Sequence, residues 1–355
     1  MINLIAPINN LGYGVAGYNF IKELYNIDKT VTLYPVAQPE SVGDQDMIAK
    51  CINNQINFDK NKPCVKVWHQ HDLQSRVGKG EYFGFPIFEL TTFNTHEVVS
   101  LNHCDQIMVC SKWAKDIIIS NTQFQESKVH VVPLGVDTNV FSAAPISGRS
   151  TTVFFNCGKW EKRKGHDSIV ECFNNAFEHT DDVELWMMCD NPFIGNINDN
   201  WSELYKKSKL YNKIRILPRQ KTQKDVKNIM SLADCGVFPS RAEGWNLELL
   251  EMMACGKQVI CTNYSAHTEF CDESNSHLIQ IDNLETAHDG LFFNDGCGLW
   301  AEFADNQNEQ LISHMRNIHK KKQNNELDVN FSGIKTAEKF SWQNSVKEMI
   351  NGIGL

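Results

Sequence analysis

Two carboxylates eight positions apart, Glu243 and Glu251, mark the segment of this chain best suited to chemistry: Arg241-Ala-Glu-Gly-Trp-Asn-Leu-Glu-Leu-Leu-Glu-Met-Met-Ala-Cys-Gly256. Leu247, Leu250, Met253 and Ala254 recur at helical spacing, and Gly244 and Gly256 punctuate the two ends. The pattern predicts a turn carrying Glu243 and the opening of a helix carrying Glu251. A helix N-terminus presents unpaired N–H groups and a partial positive charge, which suits a phosphate. The flanking carboxylates would repel that phosphate but accept hydrogen bonds from hydroxyls, and phosphate beside sugar hydroxyls is the chemistry of a nucleotide sugar. A capped amphipathic helix with a solvated acidic face would also give this pattern.

A second segment points the same way. Asn156-Cys-Gly-Lys-Trp-Glu-Lys-Arg-Lys-Gly165 follows the apolar run Thr152-Val-Phe-Phe155 and precedes a helical pattern in Ile169, Val170, Phe173 and Phe177. Strand, basic glycine-bounded loop and helix is the arrangement in which backbone amides and a lysine approach a diphosphate. A solvated basic loop is the plainer reading. A third segment, Val129-His-Val-Val-Pro-Leu-Gly-Val-Asp137 with Phe141 following, reads as a buried strand stopped by Pro133 and Gly135.

Together the three segments resemble the retaining glycosyltransferases of the GT-B fold, the large family four class. They match its Glu-x7-Glu motif, its Gly-Arg-x4-Lys-Gly loop and its Pro-x-Gly-Val-Asp-x3-Phe stretch. The resemblance implies that Glu243 contacts the donor sugar and Glu251 the nucleotide ribose, and that Lys164 holds the diphosphate. Lys159 stands where arginine is usual, a departure that keeps the charge but loses the bidentate fork. Trp245-Asn246-Leu247-Glu248 replaces the usual aromatic-Gly-Leu-Pro; asparagine tolerates a left-handed conformation and caps helices, so the donor-binding helix start at Asn246 and Leu247 can survive. The implied activity moves a sugar from a UDP- or GDP-sugar to a glycan, lipid-linked or small-molecule acceptor hydroxyl, with retention, no metal and no further cofactor.

The first turn, Asn9-Asn-Leu-Gly-Tyr-Gly-Val-Ala-Gly17, matches Gly-x-Gly-x-x-Gly after a strand, which raises an NAD-dependent oxidoreductase as the alternative. The next strand, however, ends Tyr34-Pro-Val-Ala-Gln-Pro39 without the acidic residue that would hold a ribose. The resembling family also uses a glycine-rich loop here, so Gly12 and Gly14 are candidates for close ligand approach. Trp68-His-Gln-His-Asp72 ends a strand on which alternation would send His69 and His71 to opposite sides, leaving one to serve the site. The pair is too few for zinc. In Phe85-Pro-Ile-Phe-Glu-Leu-Thr-Thr92, Glu89 falls at a strand end; it resembles the segment that faces the donor sugar in one branch of the family, and an apolar setting would raise its pKa. A non-catalytic nucleotide-sugar binding protein also fits these residues.

At 355 residues the chain exceeds a single comfortable core, and 42% hydrophobic with 22% charged residues is ordinary globular composition. A formal net charge of −9 without a long basic stripe argues against nucleic acid as partner. Twelve cysteines, scattered singly and without Cys-x-x-Cys, favour a reducing compartment, and no integral membrane segment is evident, so the expected location is cytoplasmic. Strand candidates at 2–6, 30–36, 64–69, 84–88, 106–110 and 128–133 alternate with helical patterns near 15–26, 44–53, 95–103 and 112–121. After a linker-like stretch at 142–150 the pattern restarts, with strands near 152–157, 183–189, 213–217, 234–238, 258–262 and 277–281. The expected fold is α/β: two Rossmann-like domains, 1–143 on the acceptor side and 151–339 for the donor, facing across a cleft. By resemblance, a C-terminal helix at 340–355 crosses back to the first domain, with Ser341 as its N-cap.

Overall fold

The computed structural model describes all residues from 1 to 355, which form two compact units, Met1–Gly135 with Phe340–Leu355, and Val136–Lys339. The first unit runs β1 (Ile2–Ala6), α1 (Gly12–Asn26), β2 (Val31–Pro35), α2 (Gln45–Asn53), β3 (Cys64–Val67) and β4 (Tyr82–Phe85). It continues with α3 (Thr95–Leu101), β5 (Gln106–Val109), α4 (Lys112–Asn121) and β6 (Val129–Val131). All six strands are parallel, in the order β2-β1-β3-β4-β5-β6. Sheets covered on both faces read as unbroken apolar runs, and every residue of β1, β3, β4 and β5 is buried.

The second unit repeats the plan. It contains β7 (Thr152–Gly158), α5 (His166–Ala176), β8 (Val183–Cys189), α6 (Ile197–Lys206), β9 (Ile214–Ile216), α7 (Gln223–Leu232) and β10 (Cys235–Phe238). Then come α8 (Leu247–Ala254), β11 (Gln258–Thr262), β12 (His277–Ile279), a hairpin of β13 (Leu284–Thr286) and β14 (Leu299–Ala301), α9 (Asp305–Gln323) and α10 (Phe331–Lys339). Its parallel sheet has the order β12-β11-β10-β7-β8-β9, around a core that includes Phe154, Phe173, Met187 and Ile260.

The last helix, α11 (Trp342–Ile353), belongs to the first unit and begins at Ser341, whose Oγ accepts from Asn344 N–H at 3.3 Å. It packs on α1 through Trp342, whose ring meets Phe20 edge-on at 5.5 Å. Gly135 lies so close to this turn that a Cβ there would stand 2.2 Å from Trp342 N.

Three expectations need correction. The stretch 142–150 is not a free linker: Ala144 N–H donates to Cys255 O, Lys257 Nζ to Pro145 O and Lys322 Nζ to Ser147 O, at 3.0, 3.0 and 2.5 Å. Its Pro, Gly and Ser composition keeps it free of helix and strand, while its backbone is tied to the second unit. The strand expected at 84–88 is β4, ending at Phe85, since Pro86 has no N–H to continue the ladder. The helix expected from residue 15 starts at Gly12, so the glycine-rich turn is its opening turn. The β13–β14 hairpin was not foreseen, because its short strands are partly exposed and lack a clear alternation.

Candidate active site

In an open α/β sheet a ligand site forms at the carboxyl ends of the strands where strand order reverses. In the second unit that point lies between β7 and β10, which pair directly. The loops leaving these two strands are the basic segment 159–165 and the segment 239–246, so topology brings together two motifs that lie far apart in sequence.

Their charged side chains alternate in sign. Lys159 Nζ is paired with Glu161 Oε1; Glu161 Oε2 accepts from Arg163 Nη2 at 2.6 Å; Arg163 Nη1 donates to Glu243 Oε2 at 2.8 Å; and Lys164 Nζ donates to Glu243 Oε1 at 3.0 Å. Apart from Lys159 these groups are buried. Arg163 also donates to Ala242 O at 2.7 Å, and Ser240 Oγ to Glu243 Oε1 at 2.8 Å. A carboxylate accepts about four hydrogen bonds; these three leave Glu243 acceptor capacity on Oε2. Burial alone would raise the Glu243 pKa, but Arg163 and Lys164 outweigh it and hold the carboxyl well below its ordinary range. Burial likewise opposes charge on Lys164, and Glu243 and Glu248 overcome it and raise the ammonium's pKa.

Several groups that sequence reasoning did not single out hold this array. Arg241 makes a bidentate contact with Asp167, at 2.9 and 3.0 Å, and Arg241 N–H donates to Arg163 O at 2.7 Å, clamping the two loops together. His166 Nδ1 accepts from Glu161 N–H at 3.1 Å, so Nε2–H faces Asn156 Oδ1, also at 3.1 Å; burial keeps this imidazole neutral. Gly165 enters α5 in the left-handed region, φ 74°, and a Cβ there would collide with Pro239 O at 2.3 Å. No local signal reveals Arg163 or Arg241, since most of their partners are distant in sequence.

Asn246 stands at the N-cap of α8 in the left-handed region expected for it, φ 85° and ψ 77°, and its Oδ1 accepts from Leu249 N–H at 3.1 Å. The N–H groups of Leu247 and Glu248 have no intrahelical acceptor. Glu248, in this first turn, lies against Gly158, where a Cβ would be 3.2 Å from its Oε1. Glu251, one turn later, is buried, and burial first and then Glu248 push its pKa well above the carboxylate range. The two glutamates are therefore unlike: Glu243 is held anionic, whereas Glu251, read from sequence as a second carboxylate, is driven toward the neutral acid. Lys159 also lies over the partly exposed rings of Phe292 and Phe193, at 4.6 and 5.4 Å from their centroids.

In the first unit strand order reverses between β1 and β3, and the loops there gather another cluster. The Tyr13 ring lies 4.6 Å from that of His69, while its hydroxyl donates to Ile87 O at 2.7 Å and accepts from Ile87 N–H at 3.0 Å. Burial and then nearby Glu89 raise the Tyr13 pKa. His69 and His71 lie beyond the end of β3, so strand alternation does not apply to them; their rings stack at 5.3 Å on the same side. Glu89, four residues past β4, is half-buried. The two glycines differ. A Cβ on Gly14 would meet Asn9 Oδ1 at 2.1 Å, so this glycine makes room for Asn9, whereas Gly12 faces open space.

Two parallel doubly wound units with a polyanion-suited site at the second unit's switch point define a GT-B protein. Residues 151–290 match the family model for glycosyl transferases group 1 and residues 53–140 that for glycosyltransferase family 4. The mannosylfructose-phosphate synthase of Agrobacterium fabrum is 22% identical over 56% of this chain, which spans about half, 48%, of that protein's length. Among solved structures, a glycosyltransferase from Rickettsia africae superposes with a TM-score of 0.71 at 15% identity, covering 99% of this chain and 96% of that one. Sucrose-phosphate synthase from Thermosynechococcus elongatus gives 0.71 at 12%, covering 99% and 97%, and Anabaena HepE in complex with UDP gives 0.70 at 14%, covering 99% of both chains. None of the helices is long and apolar enough to cross a membrane.

Proposed function

We propose that this protein transfers a hexosyl group from a nucleoside-diphosphate sugar to an acceptor hydroxyl with retention of anomeric configuration. The observation that carries the reading is the alternating array Lys159–Glu161–Arg163–Glu243–Lys164 beside the N-terminus of α8. Breaking the bond from the anomeric carbon to phosphate places negative charge on the diphosphate and positive charge on the sugar. Lys164, with two ammonium protons beyond the one given to Glu243, Lys159 and the Leu247 and Glu248 N–H groups stabilise the former. Glu243, held anionic, accepts a sugar hydroxyl and offsets the latter.

Retention follows if the acceptor oxygen attacks from the face the phosphate leaves. The acceptor's proton then passes to a departing phosphate oxygen, and no enzymic nucleophile is needed. With protein cations neutralising the diphosphate, no metal ion is required for this step. Glu251 faces the ribose, and in the first unit Gly12, His69, His71 and Glu89 make the substrate contacts. HepE, a structural relative, holds UDP, which supports a uridine donor. All twelve cysteines are free, and most are buried, which suits a reducing compartment.

The test is a thermal-shift panel of UDP-, GDP- and ADP-sugars beside NAD and NADP, followed by a hydrolysis and transfer assay in EDTA. Stabilisation by one nucleotide sugar, with turnover in EDTA, is expected. Stabilisation by NAD alone would make the protein an oxidoreductase. Binding without turnover would make it a nucleotide-sugar binder, and turnover restored only by manganese would remove the lysine-based account.

A further inference from the structure

We propose that His267 is a positioning residue for the donor site, orienting Asn246 and through it the first turn of α8. The proposal rests on the reading of that helix start as part of the donor-phosphate site. His267 is completely buried, in the turn Ser265–Glu269 that follows β11. Its Nδ1 lies 3.0 Å from Thr262 O and 3.2 Å from Thr262 Oγ1. That hydroxyl already donates to Ser240 O at 2.6 Å, and a carbonyl only accepts, so Nδ1 carries the proton. Nε2 is then a bare acceptor, and Asn246 Nδ2 donates to it at 2.9 Å.

This assignment settles the amide. With Nδ2 on the histidine, Asn246 Oδ1 faces Leu249 N–H at 3.1 Å; a flipped amide would set oxygen against the Nε2 lone pair and NH2 against N–H. Each atom from Thr262 to Leu249 has one role, and the chain of bonds holds a non-glycine residue at φ 85°. The same turn also grips the other end of the loop. Ser265 Oγ accepts from Glu243 N–H at 2.9 Å, and Ala266 N–H donates to Glu243 O at 3.3 Å. Residues 243–246 are therefore held at both ends by 265–267, so the sugar-facing carboxylate and the phosphate-facing helix start keep a fixed spacing.

Burial pushes the His267 pKa down to about 4, with Glu243 opposing and Lys164 and Arg163 assisting. The imidazole stays neutral at ordinary pH, as the acceptor role demands.

UDP affinity measured by titration calorimetry on the full chain tests this in a double-mutant cycle of His267→Leu and Asn246→Gly. Glycine adopts the left-handed conformation without a side-chain partner. His267→Leu should weaken UDP binding at least tenfold in the Asn246 protein and less than twofold in Asn246→Gly, while the melting temperature falls similarly in both. His267→Gln, whose side-chain oxygen can still accept from Asn246, should recover most of the affinity; it carries the same comparison should His267→Leu not fold. Equal weakening in both backgrounds, or undiminished affinity in His267→Leu, overturns the proposal. A wild-type protein that binds none of UDP, GDP and ADP overturns the donor-site reading itself, and this inference with it.

Discussion

Lys164 Nζ stands 3.0 Å from Glu243 Oε1, although the two residues are 79 positions apart in sequence. The contact joins the loop after β7 to the loop after β10, yet it is not what fastens them. Arg163 and Arg241 do that, the first through Ala242 O and Glu243 Oε2, the second through Lys162 O and Asp167. On the proposed reading, the adjacent cations Arg163 and Lys164 divide the work, one bracing the carboxylates and the other presenting charge to the donor diphosphate.

The division predicts opposite phenotypes. Lys164→Ala should keep the fold, because Arg163 still pairs with Glu243, and lose turnover by ~10²–10³-fold, as for removal of one oxyanion contact. Arg163→Ala strands Glu161 and Glu243 without their guanidinium and should cost ~3–5 kcal/mol of stability. Urea unfolding beside initial rates separates the two; an Arg163→Ala protein as stable as wild type would refute the bracing role.

Glu251 makes stability depend on pH. Its folded-state pKa lies well above the ordinary 4.5, through burial and then Glu248. The folded state therefore binds this proton more tightly than the unfolded state, so its contribution is full below the unfolded value and is lost as pH rises through the folded one. Glu251→Gln should match wild type near the lower bound and become progressively more stable relative to it as pH rises. Melting curves from pH 5 to 9 that run parallel for the two proteins would contradict this.

In the first unit, Trp342 is almost fully buried and its ring abuts Phe20. Trp342→Ala should lower stability by ~3–5 kcal/mol, read as an earlier unfolding transition. A transition unchanged by that substitution would show that α11 does not contribute to the first unit's core.

The twelve strands of the two main sheets and the glutamate-bearing helix start were legible because their signals are local: apolar runs for buried parallel strands, glycine and proline for their ends, asparagine for a left-handed cap. The same local reading misplaced His69 and His71, because β3 ends before them, and took 142–150 for a free linker although Lys257 and Lys322 anchor it. It named Glu243 and Lys164 separately. That they bind each other, with Arg163, Glu161 and His267 around them, is set by β7 and β10 lying side by side, a relation between chain segments some eighty residues apart. Sequence by itself determined the strands of the two main sheets and the residue types at the site. Tertiary structure decided the partners and the charge states, since burial and neighbouring cations, which make Glu243 an anion and push Glu251 toward the neutral acid, arise only once the sheet order is fixed.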